Sequence, residues 1–226
     1  MTAELTARPS SASDVAALGP AAGRRPLDLS ETLARAVLAG LFLALAVRIG
    51  ADFLRTARIT GLLLLVSELL VVLLTVVRRR ALQVDRSWPA RLVTIVSVAG
   101  PPLVEPAVAA GAVPDPVTAL VSACGLLVIV AGKLSLGRSF GLLPANRGVV
   151  SAGMYRIVRH PIYAGYLVTH AAFLMGHWNG WNAAVLMGAD AALILRAVYE
   201  ERTLAPDPAY AGYRARVRWR ILPGVF

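Results

Sequence analysis

Two short stretches carry the residue types best able to do chemistry. One runs from Arg147 to Tyr163 and closes on Arg159-His160-Pro161-Ile162-Tyr163. The other is Arg196 with Glu200-Glu201, at the end of the last apolar segment. A bilayer disfavours Arg, His and Glu at the mouth of a membrane helix, so such residues need polar or charged company. The two stretches read as facing walls of a cofactor site. Plainer structural roles are open to both. Arg196 and Glu200 are four apart and can pair along a helix end, and His160 can cap a helix at headgroup level.

The elements that must position these walls are helices. Ala184, Gly188, Ala192, Arg196 and Glu200 recur every four residues and so share one stripe. Small residues in its first half let a neighbouring helix approach closely. Ala172 and Gly176 offer matching small residues on the preceding segment. The expectation is a tight antiparallel hairpin that brings Arg196 and Glu200 down beside His160. Tyr163, Tyr166 and His170 fall on one face, which can be packing or the lining of a lipophilic tunnel. Glu68, Glu105 and Asp190 lie inside apolar segments and must face the bundle or water. A proton or ion path is the alternative use for them.

Composition agrees with a membrane setting. Of the 226 residues 57% are hydrophobic and only 16% charged, a smaller charged share than soluble domains carry. The fold class expected is all-α: a polytopic helical membrane protein of about five to six spans. Residues 1–30, rich in Ala, Ser, Pro and Gly, read as a disordered tail without an apolar signal segment. Residues 31–134 hold N-terminal spans at 33–54, 59–77, 91–113 and 115–134. The third is broken by Pro101, Pro102 and Pro106 and reads as a bent span or a re-entrant pair. Residues 135–226 hold a connector, spans at 161–177 and 181–199, and a basic tail.

The net charge of +10 lies in clusters beside apolar segments, as in cytoplasmic loops near anionic lipid. No basic stripe lies on a soluble domain, which argues against nucleic-acid binding. Arg78-Arg79-Arg80, the connector and the tail are then cytoplasmic, and Arg48, Arg55 and Arg58 lie outside, against the usual rule. In the tail, Tyr210, Tyr213, Val217 and Ile221 share a helical face, with Arg214 and Arg218 placed to reach lipid phosphates. Lys133 is the only lysine among 23 basic residues, an Arg bias that looks bacterial. The single Cys124 rules out an intrachain disulfide and a cysteine-rich metal site, and reads as a packing residue. No metal is expected.

The ordered set Gly153-Met154-Tyr155-Arg156-Ile157-Val158-Arg159-His160-Pro161-Ile162-Tyr163, then Arg196 to Leu204, then Tyr210-Ala211-Gly212-Tyr213 resembles the isoprenylcysteine carboxyl methyltransferase family. Phospholipid N-methyltransferases are more distant relatives. The likeness covers about residues 120–226. It implies an integral membrane enzyme that uses S-adenosylmethionine without a soluble nucleotide-binding domain. No glycine-rich dinucleotide fingerprint stands in the chain.

Carried over, Arg147, Gly148, Val149 and Val150 border the cofactor with their backbone. Tyr155, His160, Pro161, Ile162 and Tyr163 complete that wall, and Glu200 contacts the cofactor from the hairpin. Arg196 faces the substrate and, with Glu200 and Glu201, makes up the catalytic set. No contact is assigned between Phe140 and Arg147, where the chain is short and contains Pro144. The resemblance favours carboxylate O-methylation. A carboxylate needs no base, and Arg196 would orient it by a forked hydrogen bond. A thiol or amine must lose a proton, with His160 or Glu201 as acceptor.

The implied partners are a lipophilic small-molecule or lipid substrate and the membrane, with no obligate protein partner. The implied place is a bacterial inner (plasma) membrane, with the active site facing the cytoplasm. Two other readings stay open: a nicotinamide-dependent membrane reductase of the sterol-reductase-like type, and a non-enzymatic or proton-coupled membrane protein.

Overall fold

The computed structural model describes residues 29–57, 59–105 and 113–226, so all but the last two residues of the expected tail lie outside the described residues. Apolar runs form α1 (Leu29–Thr56) and α2 (Ile59–Val77). A helix satisfies its own backbone, as a segment in lipid must. A short strand, β1 (Gln83–Val84), leads to α3 (Trp88–Ala99). The Ser87 side chain caps α3 by accepting from the Ala90 N–H, and Pro89 sits in its first turn. Pro101 and Pro102 bring no N–H to continue the ladder, so α3 gives way at Gly100 to one 3-10 turn, Pro101–Leu103. α4 (Asp115–Leu136) ends at Gly137, whose φ of 51° suits glycine. The connector then forms β2 (Ala145–Asn146), antiparallel to β1. α5 (Pro161–Gly176), α6 (Gly180–Leu204) and α7 (Pro208–Arg216) complete the chain. Asn179 caps α6 and Asp207 caps α7 through side-chain oxygens.

The architecture is all-α and polytopic. Among the described residues, four helices, α1, α2, α4 and α6, are long and apolar enough to cross a membrane. α3 has 12 residues and α5 has 16, which is short for a full span. The segment of α3 nevertheless continues to the far end of α6. There Trp181 Nε1 donates to the Leu103 carbonyl at 2.9 Å, and the Asn182 side chain bonds the Glu105 N–H and C=O. Residues 106–112 of the expected 91–113 segment lie outside the described residues.

The basic segments gather at one end. The Arg138 side chain donates to the Val77 carbonyl at 3.0 Å, and the Arg79 N–H to the Arg138 carbonyl at 2.7 Å. The tail joins the same end, because the N–H groups of Arg159 and His160 donate to the carbonyls of Trp219 and Arg220 at 2.9 and 2.7 Å.

The close helix pair is not the one expected. α5 and α6 are antiparallel neighbours in the chain, but the intimate contact is between α4 and α5. A Cβ on Gly165 would lie 2.7 Å from the Gly125 carbonyl and 2.6 Å from Ile129 Cγ1. Gly132 lies against Ile162 in the same way. Gly176 faces Thr118 of α4, and Gly188, in the expected stripe, has nothing within 4 Å of its would-be Cβ. α6 instead approaches α3, where Gly100 meets Ala189. Small residues mark a face that permits close approach, but their spacing does not choose the partner. Polar pairs, His170 with Asp190 and Tyr163 with Glu200, link α5 and α6. Cys124 is exposed, so the packing role expected of it is not what the fold gives it.

Candidate active site

Proline at the first position of α5 and the opposite direction of α6 bring His160 and Glu200-Glu201 together. His160 Nδ1 lies 3.5 Å from Glu200 Oε2, and Nε2 lies 3.2 Å from Glu201 Oε1. Burial disfavours the charged ring, but hydrogen bonds to both carboxylates outweigh it and hold the His160 pKa above its ordinary 6.5. The Tyr163 hydroxyl donates to Glu200 Oε1. Arg196 Nε lies 3.3 Å from that same oxygen, and its guanidinium covers the Tyr163 ring at 5.4 Å. Arg196 Nη2 donates to the Gly141 carbonyl at 3.4 Å.

Glu201 turns the other way. It accepts from Arg159 Nη1 at 2.9 Å and Arg220 Nε at 3.1 Å, and it does not line the cavity described next. Glu201, expected as a catalytic or proton-accepting residue, thus braces His160 from behind. Residues 200 and 201 point about 100° apart on a helix, and here only the first looks inward. Pro161 is buried beneath the first turn of α5 and does not line the cavity either.

The cluster lines a cavity of about 810 Å³. Arg147, Gly148, Val149, Val150, Tyr155, His160, Ile162, Tyr163, Arg196 and Glu200 all line it. The connector backbone at 148–150 belongs to no helix or strand, and the Gly148 N–H donates to Asn146 Oδ1 at 2.9 Å. Farther in, Leu126, Ile129, Tyr166, Phe173 and Leu193 make the wall apolar, with Glu68 and His170 set into it. Tyr163, Tyr166 and His170 are thus a lining stripe, the tunnel alternative of the two open to them. Of the three acids, Glu68 lines the cavity, Asp190 pairs with His170 at 2.6 Å, and Glu105 is exposed.

Several lining residues have no counterpart in the sequence reading. Gly141, Leu142, Leu143 and Ala145 come from the stretch around Pro144. Tyr210 and Tyr213 come from α7, whose apolar face does not lie on a bilayer. Tyr210, Tyr213, Val217 and Ile221 are all buried against the protein, while Arg214 and Arg218 stay exposed. The expected single helical face is not what forms: α7 ends at Arg216, Tyr210, Tyr213 and Val217 pack with Tyr155 of the connector, and Ile221 packs in the main core. Tyr213 donates to the Tyr155 carbonyl at 2.9 Å. Asn146 donates to Asp207 at 2.9 Å, a bond that lowers the Asp207 pKa. Burial raises the Tyr210 pKa to about 12 and that of Tyr155 well upward, so both phenols stay neutral.

No protein-family model matches the chain, and no curated protein matches it. The functional reading rests on the motifs and on this geometry.

Proposed function

We propose that this protein is an integral membrane methyltransferase that takes S-adenosylmethionine at the charged end of the cavity and a lipophilic acceptor along its apolar walls. The observation that carries the reading is the placement of one mixed-charge cluster, His160, Tyr163, Arg196 and Glu200, on the wall of a cavity lined by membrane-type helices. The likeness of the same residues to isoprenylcysteine carboxyl methyltransferases supports it.

The residues fit the cofactor in charge and in size. Its amino-acid head carries an ammonium and a carboxylate; Glu200 suits the first, Arg147 and protonated His160 the second. Val149, Val150 and Tyr155 offer apolar and aromatic surface for a base. A volume of about 810 Å³ lies in the ordinary range for small-molecule pockets. When bound, the cofactor would supply an electrophilic methyl group on a sulfonium. The chain contributes placement and dryness. Tyr163 and Arg196 fix the Glu200 carboxylate, Glu201 fixes His160, and the apolar walls exclude water from the acceptor. The gathering of Arg78-Arg79-Arg80, connector and tail at one end favours a cytoplasmic, bacterial inner-membrane setting for that end.

S-adenosylhomocysteine titrated calorimetrically into the detergent-solubilised protein is expected to bind in the micromolar range. Glu200→Ala and His160→Ala should each weaken it roughly tenfold or more, the loss of a charge-assisted hydrogen bond. Binding of a nicotinamide cofactor instead would hand the site to the reductase reading, and binding of neither would overturn both.

A further inference from the structure

We infer that the apolar half of the cavity holds a subsite built for a hydrogen-bond donor, so that the lipophilic ligand presents an N–H or O–H group there and not a carboxylate. The inference deepens the methyltransferase reading and, as a statement about the acceptor, rests on it.

Two side chains on different helices carry the argument. Glu68 of α2 lines the cavity and is 7% exposed, and its Oε2 has no hydrogen-bond partner among the described residues. Lys133 sits nearby, but its ammonium is engaged with the Ser67 hydroxyl at 2.7 Å and the Ser67 carbonyl at 3.0 Å. Lys133 thus offsets charge without satisfying the Glu68 oxygen. A buried oxygen left unpaired costs about 1–3 kcal/mol in general, and a ligand donor would remove that cost.

His170 of α5 is the second. Its Nδ1 lies 2.6 Å from Asp190 Oδ1, and its ring stacks against Tyr166. In the neutral ring the carboxylate accepts from Nδ1–H, and Nε2 is then an acceptor. His170 is 9% exposed and lines the cavity. Ten residues of helix separate it from His160, about 15 Å, so the subsite is distinct from the charged end.

A ligand carboxylate would meet acceptors here, with Glu68 and Asp190 close behind. Arg196 is no substitute clamp, since Glu200 and the Gly141 carbonyl already engage it. The other cation lining this half, Arg48, is exposed.

The test uses the full chain in lipid nanodiscs, without cofactor. Dodecylamine, dodecanol and dodecanoate are titrated, binding is read by native mass spectrometry, and the three histidines are followed by ¹⁵N NMR. The amine and alcohol should bind roughly tenfold or more tighter than dodecanoate and shift the His170 Nε2 resonance. Glu68→Gln, which adds a donor, should narrow that gap by improving dodecanoate binding. His170→Phe should weaken the amine and alcohol. Asp190→Asn, which keeps the side-chain shape, should do so too and stands in if His170→Phe does not fold. Equal binding of dodecanoate, or a preference that survives these substitutions, overturns the subsite. S-adenosylhomocysteine binding is measured on the same samples. Its absence beside an intact amine preference sinks the methyltransferase reading alone, and the converse sinks the subsite alone.

Discussion

His160 stands between two carboxylates, and its charge state governs what the charged end of the cavity can hold. Its folded-state pKa is raised, so protonation stabilises the fold. That contribution is fully present below the unfolded value of about 6.5 and is lost as pH rises through the folded value. The His160 imidazole should therefore titrate above 6.5 by NMR, and Glu201→Gln should lower the midpoint. The thermal midpoint of the wild type should fall as pH is raised past neutrality, a slope that His160→Gln lacks. A wild-type midpoint at or below 6.5 would contradict the double-carboxylate environment. The adjacency of Glu200 and Glu201 is plain in the sequence, but their division of labour is not. Which of two neighbours looks inward depends on the rotation of α6, and packing against α3 sets that rotation.

At the scale of elements, close approach belongs to α4 and α5. Gly165→Ala should cost about 1–3 kcal/mol, the usual penalty for overpacking, because its Cβ meets backbone and Ile129. Gly188→Ala, with open space at the same atom, should be neutral or gain up to about 1 kcal/mol of helix propensity. Thermal midpoints of the two variants in detergent decide the matter, and equal destabilisation by both would restore the tight α5–α6 pair. Helix positions follow from runs of apolar residues, and the break in α3 from Pro101 and Pro102. The pairing does not, since Ala184-Gly188-Ala192 and Gly125-Gly132 are equally permissive as strings.

For the whole molecule, the segment after α7 acts as a strap. Its carbonyls take the N–H groups of Arg159 and His160, Arg220 reaches Glu201, and Ile221 enters the core beside Val71, Leu74 and Ile162. A chain ended after Arg216 should keep its helical circular dichroism yet lose roughly tenfold or more in S-adenosylhomocysteine affinity, because the connector loses its partners at Arg159 and His160 while each helix keeps its own backbone hydrogen bonds. Unchanged affinity would reduce the strap to packing.

What the sequence by itself determined is local: apolar runs long enough to be helices in lipid, the proline and glycine stops, the basic clusters, and the meeting of His160 with Glu200 across one short turn. These follow from composition and chain connectivity, which need no knowledge of distant partners. The tertiary structure alone decided that α5 leans on α4, that Glu201 faces away, that α7 covers the cavity, and that Glu68 and His170 line the same space. Each of those depends on how helices far apart in sequence rotate against one another, and small or amphipathic faces leave that choice to the packing of the whole.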